Sequence, residues 1–160
     1  VYAELIGYGA SNDAFDMVAS EESGRGPVLA GQMAFRKSGI DPSRIGYVNA
    51  HGTGTQLNDR VETRALKTLF GAHAYELAVS GTKSMTGHMM GAAGSVEAIA
   101  SIMAVSEGVV PPTMNYKVQD PECDLDYVPN VARDMRNLDV VMTSSIGLGG
   151  HNACLIFQRV

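Results

Sequence analysis

Cysteine is scarce in this sequence. Cys123 and Cys154 are the only two, far apart and in no C-x-x-C pair. A disulfide framework is excluded, and the expected compartment is reducing: cytoplasmic, or a plastid or mitochondrial matrix in a eukaryote. Massed charge of one sign is also missing. The net charge of −5 is spread along the chain without blocks, so neither nucleic acid nor an anionic membrane is an expected partner. Long apolar runs are lacking, since the longest candidate is broken by Gly, Ser and Glu, and no membrane span is expected. No signal-peptide pattern is visible. The four histidines show no H-x-x-x-H or Cys/His spacing, so no metal site is expected. The glycines of "GLGGHN" stand too near the end of the chain for a dinucleotide fold. There is no internal repeat and no low-complexity segment. What remains is a chain of 160 residues, 45% hydrophobic and 18% charged, enough for one domain with a real core.

The order of elements is legible. Tyr2 to Ala10 is apolar and β-prone, and "SNDAFDMVASEESGRG" reads as a long loop. A helix starts near Pro27 and stops at Gly39 and Pro42. Ile45 to Ala50 reads as a buried strand. Asp59 to Phe70 reads as a helix, with Asp59 and Glu62 as a D-x-x-E capping box and Gly71 as its end. Leu77 to Ser80 is a strand. Gly87 to Glu107 reads as one long, buried helix rich in small residues. Val140 to Ser145 and Cys154 to Gln158 read as an antiparallel hairpin around "SIGLGGHN". This order predicts an α/β layered domain with a mostly parallel sheet.

In such sheets ligands gather at the carboxyl ends of the strands. Three glycine-rich loops follow strands: "AHGTGT", "SGTKSMTGH" and "SSIGLGGHN". They carry His51, Thr53, Thr55, Lys83, His88, His151 and Asn152. Two neutral imidazoles can each donate one N–H to a single oxygen and stabilise a developing enolate or alkoxide. His88 is expected at a helix N-terminus, where the positive end of the helix and nearby Lys83 would disfavour imidazolium. His73 is expected to be solvated, and His151 to hold the last loop.

The stretches "NAHGTGTQLND", "SGTKSMTGHMMGAAGSVEAI", "VPPTMN", "CDLDYVPN" and "SSIGLGGHNACLIF" closely resemble the C-terminal half of β-ketoacyl-acyl-carrier-protein synthases of the type II, elongating kind. The resemblance covers nearly the whole chain. It implies the thiolase-like fold, with this chain as one αβα half of a five-layer αβαβα architecture containing a mostly parallel mixed sheet. Residues 1–160 would be the C-terminal domain, and the N-terminal half, with the nucleophilic cysteine, would be absent. The chain opens on Val1 in strand-like sequence, and is expected to be a piece of something longer.

The resemblance further implies a reaction. A cysteine takes an acyl chain from its carrier protein, a malonyl carrier protein is decarboxylated, and the enolate attacks the acyl thioester. His51 and His88 would hold the malonyl thioester oxygen, and Lys83 would tune that pair. Thr53 and Thr55 would contact the phosphopantetheine arm. Glu97, with Asn49 beside it, would support the site through water or a cation. Backbone N–H groups around Gly147 and Leu148 would hold the acyl thioester oxygen. No cofactor is implied. The partners would be acyl carrier protein, the missing half and, in the complete enzyme, a second copy.

Two departures stand out. Many relatives read "FGFGG" in the last loop, where this chain has Ile146 and Leu148; that puts the acyl gate and chain-length preference in question. No nucleophile is present, since Cys123 matches a surface segment and Cys154 a buried strand position. Alone, the chain is expected to be inactive. The alternatives are a polyketide ketosynthase, which more often reads "EAHGTGT" and "KSNIGH", and a non-catalytic chain-length-factor-like homologue, against which the retained His51, Lys83 and His88 argue.

Overall fold

The computed structural model describes residues 1–160. Seven strands form, β1 (Glu4–Asn12), β2 (Ile45–Asn49), β3 (Ala78–Ser80), β4 (Val109–Val110), β5 (Arg133–Asp134), β6 (Val140–Ile146) and β7 (His151–Gln158). The α-helices are α1 (Arg25–Ser38), α2 (Gln56–Phe70), α3 (Lys83–Thr86) and α4 (Ala93–Glu107).

The main sheet has the order β1-β7-β6-β2-β3. β2 pairs in parallel with β3 and β6, whereas β7 is antiparallel to both its neighbours. All strands of this sheet but β7 therefore run one way, and the β6–β7 hairpin closes through the glycine loop as the sequence implied. Alternation along the strands splits the core in two. Val140, Met142 and Ile156 pack with Phe35, Leu66 and Phe70 of α1 and α2. Tyr47, Val141 and Phe157 pack with Ala104 and Val105 of α4 on the opposite face. The result is one αβα sandwich. Helix α1 approaches β1 so closely that a Cβ on Gly9 would lie 1.9 Å from the Ala30 carbonyl oxygen. Only glycine permits that contact.

Several expectations need correction. The helix read from Gly87 to Glu107 is broken: α3 ends at Thr86, residues 87–89 are irregular, and α4 begins only at Ala93. Gly87 (φ 70°) and Met90 (φ 50°) both adopt left-handed backbone there, which no helix continues through. The second helix starts earlier than expected, at Gln56, with Thr55 before it and no side-chain cap. Asp59 and Glu62 are therefore not a capping box. Asp59 accepts the Gly54 N–H at 3.2 Å, and Glu62 turns inward. His73 is not simply solvated: its Nε2 lies 2.9 Å from the Ile45 carbonyl oxygen. No helix is long and apolar enough to cross a membrane.

Candidate active site

The carboxyl ends of β2, β3 and β6 meet at one edge of the sheet, and each feeds a loop into the site. Beyond β2 the chain turns through Gly52 and Gly54, both at positive φ. His51 precedes this turn and is buried. Beyond β3, Gly81 packs against Gly52, where a Cβ would come within 3.3 Å of its carbonyl oxygen. That close approach brings α3, and with it Lys83, under the histidine loop.

Lys83 is itself buried. Its Nζ donates to the His51 carbonyl at 2.6 Å and lies 3.1 Å from His51 Nδ1. It also forms a close ion pair with Glu97 from α4. An ammonium group has donors only, so His51 Nδ1 must accept and Nε2 must carry the proton. His88 sits in the connector after α3. Its Nδ1 accepts the Met90 N–H at 3.1 Å, which leaves the proton of the neutral ring on Nε2 here as well. The two imidazoles meet edge to face, with centroids 5.4 Å apart and planes at 80°. The pair thus presents two N–H groups of the same tautomer.

His51 lies in an environment that disfavours imidazolium. Burial, the Lys83 charge and His88 together push the His51 pKa down to about 3. His88 is exposed and lies ahead of α4 instead of at its first turn. The Glu97 carboxyl is raised by burial, against the hydrogen bond and charge of Lys83. Its Oε2 is buried with no partner, an acceptor that a water or a cation would satisfy. No group of three or more His, Cys, Asp or Glu side chains is arranged to hold a metal.

Glu62 is the residue that sequence reasoning missed. From the second turn of α2 it accepts the His51 N–H at 2.7 Å and the Gly52 N–H at 2.9 Å. The Ser144 hydroxyl of β6 donates to it at 2.7 Å. One buried carboxylate therefore ties the histidine loop to the sheet. Burial raises its pKa against those three hydrogen bonds, which all suit the ionised form. Glu62→Gln keeps the shape but replaces an acceptor oxygen by an NH₂ group. The expected loss is about 1–3 kcal/mol of stability, read as a lower urea midpoint at unchanged slope.

The other expected residues fall as follows. Thr53 and Thr55 bond to each other through their hydroxyls at 3.0 Å at the exposed turn. Asn49 is fully buried and faces Thr82 at 3.4 Å, so it supports the turn before Lys83. In the last loop the Gly147 N–H is committed to the His151 carbonyl at 2.6 Å, while Leu148 is exposed and Ile146 buried. His151 Nδ1 lies 3.2 Å from Asn12 Nδ2 and holds that loop, as expected. Asn152 bonds Asp13 Oδ1 at 2.6 Å, and the Gly149 N–H reaches the Met17 carbonyl at 2.8 Å. The loop after β1 is thus a fourth participant at this edge, with no histidine or lysine to announce it. Both thiols are poor nucleophiles. Burial raises Cys123, and pushes Cys154 up to about 12. Cys123 lies on a surface segment, but its side chain is turned inward.

Comparison with known proteins shows what the whole chain resembles. The family described as beta-ketoacyl synthase, C-terminal domain, matches residues 2–117. The protein named 3-oxoacyl-[acyl-carrier-protein] synthase 2 from Synechocystis sp. is 48% identical over 159 residues, covering 99% of this chain and 38% of its own length. Its namesake from Coxiella burnetii is 49% identical over 160 residues, covering 100% of this chain and 38% of its own. Among solved structures, a type II polyketide ketosynthase in complex with its acyl-carrier protein superposes with a TM-score of 0.96 at 34% identity, over 99% of this chain and 39% of that one. A beta-ketoacyl synthase from Burkholderia phymatum gives 0.91 at 36% identity, over 99% and 38%. The chain therefore spans 38% of the length of these curated relatives.

Proposed function

The chain belongs to the β-ketoacyl synthase C-terminal domain family, and from that premise we propose that it supplies the decarboxylating half of a condensing enzyme of fatty-acid synthesis. The observation that carries this reading is the His51–His88 pair, held as two Nε2–H donors by Lys83 and the Met90 amide. A malonyl thioester that loses CO₂ leaves its electron pair on an enolate. Two neutral N–H donors at the thioester oxygen stabilise that charge as it develops. The enolate carbon then attacks an acyl thioester held elsewhere in the enzyme.

In this proposal residues 1–160 act as the C-terminal domain. The nucleophilic cysteine lies outside them, which accords with the raised pKa values of both thiols. Leu148, whose neighbour Gly147 has already committed its amide, offers the backbone N–H for the acyl thioester oxygen. Thr53 and Thr55 meet the phosphopantetheine arm of acyl carrier protein, and the complete enzyme is a homodimer. Glu97 and Asn49 support the site from beneath. Fatty-acid elongation is favoured over polyketide synthesis by the 48% and 49% identities to the synthase 2 relatives, against 34% to the polyketide ketosynthase.

The experiment that tests the reading is malonyl decarboxylation by the native protein. His88→Ala should lower the rate on the order of 10²–10³-fold, the usual effect of removing one oxyanion donor. Because His88 is exposed, its circular dichroism and unfolding midpoint should be unchanged. Full decarboxylation by this variant would refute the paired-donor site.

A further inference from the structure

Behind the histidine loop lies a cavity of about 530 Å³ that shares Thr53 and Lys83 with the proposed site but is lined by neither of its imidazoles, His51 and His88. Gly52, Thr53 and Lys83 form the wall nearest the site, and Thr63, Cys123 and Tyr127 the far wall. Its volume is within the range of small-molecule sites.

One flank of the cavity is the segment 117–124, "KVQDPECD". The chain on either side of it is well anchored. Tyr116 and Asn130 exchange two hydrogen bonds, at 2.9 and 2.7 Å. The Thr113 N–H bonds the Val128 carbonyl at 3.0 Å, and the Val79 N–H the Asp126 carbonyl at 2.9 Å. Between these anchors the segment makes a single backbone–backbone hydrogen bond, and that one is internal, from Cys123 N–H to the Asp120 carbonyl at 2.8 Å. Side chains alone tie it to the body. Arg60 of α2 reaches Asp120 at 3.4 Å and Glu122 at 2.9 Å, and Lys67 pairs with Asp124. Tyr75 adds a long contact to Asp124 at 3.5 Å. These ion pairs are partly exposed, so each is weak and screened by salt. A segment held this way opens locally, well below the energy of global unfolding.

The lining also restricts what could enter. Asp59, Glu62 and Asp120 bring three carboxyls against the two ammonium groups of Lys83 and Lys117; Lys83 is already matched by Glu97 and Asp120 by Arg60, which leaves Asp59 and Glu62 facing Lys117. Anions are disfavoured. Gln56, Ser84 and Asn115 add uncharged hydrogen-bonding groups beside Leu66 and Met114.

We propose that this cavity is a second compartment, for small uncharged molecules with hydrogen-bonding groups, and that residues 117–124 are its lid, latched to α2 through Arg60 and Lys67. This inference does not depend on the condensation reading. Cys123 reports on it from inside, and Cys154, buried in β7, reports global unfolding.

The native protein is treated with iodoacetamide or iodoacetate, which alkylate a thiolate in the same way, with loss of iodide, but differ in charge. Modification of each cysteine is followed by peptide mass mapping and normalised to free cysteine at each salt concentration. Iodoacetamide should modify Cys123 on the order of tenfold faster at about 1 M salt than at about 0.01 M, while Cys154 stays untouched. The double substitution Arg60→Gln, Lys67→Gln should give the fast rate at low salt and abolish the salt dependence. At low salt, iodoacetamide should be preferred over iodoacetate several-fold more than by free cysteine. Cys123 reacting only in step with Cys154, or at a rate indifferent to salt and to both substitutions, would overturn the lid. Equal normalised rates for the two reagents would overturn the assigned selectivity.

Discussion

A Lys83→Met protein should lose about 3–5 kcal/mol of stability and decarboxylate malonyl thioester on the order of 10²–10³-fold more slowly. The stability loss follows from what the ammonium leaves behind. Glu97 is 2% exposed, and its Oε2 already has no partner. Without Lys83, its Oε1 loses its partner too. The His51 carbonyl and Nδ1 lose their donor at the same time. The rate loss has a different origin. With Nδ1 no longer occupied, the imidazole is free to place its proton there, and the Nε2–H that meets the enolate oxygen is no longer enforced. A second variant separates the two effects. Lys83→Met combined with Glu97→Leu removes both charges and should recover most of the stability, since a buried pair replaced by apolar side chains is often neutral. It should not recover the rate. Urea unfolding and CO₂ release measure the two quantities independently. Recovery of both in the double variant would reduce Lys83 to a structural counter-charge.

The same residues show where sequence reasoning reached and where it stopped. His51, Lys83 and His88 were legible because each follows a strand in a glycine-rich loop, and strand ends in an α/β sheet converge. The Ile45, Val140 and Cys154 strands were legible because apolar runs of that length, bounded by turn residues, have few other uses. Glu62 was not. A D-x-x-E pattern near a helix start looks local, and only the sheet shows that α2 turns Glu62 back toward His51 and Ser144. The break at Gly87–Met90 was hidden for another reason. The stretch around it is rich in small residues that fit a helix, and the left-handed backbone at Met90 carries no sequence mark. That break decides the site, because it puts His88 in a connector beside His51 and not on a helix face. Pairing of β4 with β5 was invisible as well, since two residues on each side leave no periodicity to read.

Stability against pH supplies the second large effect. An unfolded His51 takes up a proton near pH 6.5, whereas the native one stays neutral down to about 3. The native pKa is depressed, so the contribution is intact above pH 6.5 and lost as pH falls toward 3. In that window the unfolded state binds one more proton than the native state. Stability then falls by about 1.4 kcal/mol per pH unit from this group alone, reaching roughly 4–5 kcal/mol near the bottom of the window. The raised carboxyls of Glu62 and Glu97 act in the opposite sense, because the native state takes up their protons first as pH falls. Those groups are retained in His51→Gln, so subtracting the two stability profiles isolates the histidine. Urea unfolding of both proteins from about pH 4 to 8 should give curves that agree in shape above pH 6.5 and converge or cross below it, the parent falling faster. Decarboxylation by the parent should show no loss assignable to His51 across the same range, since the imidazole that meets the enolate oxygen is neutral throughout. Parallel stability profiles would mean that His51 ionises at an ordinary pH. Below about pH 6.5 the site would then hold its oxygen with an imidazolium, and the neutral-donor account would fail at its central residue in that range.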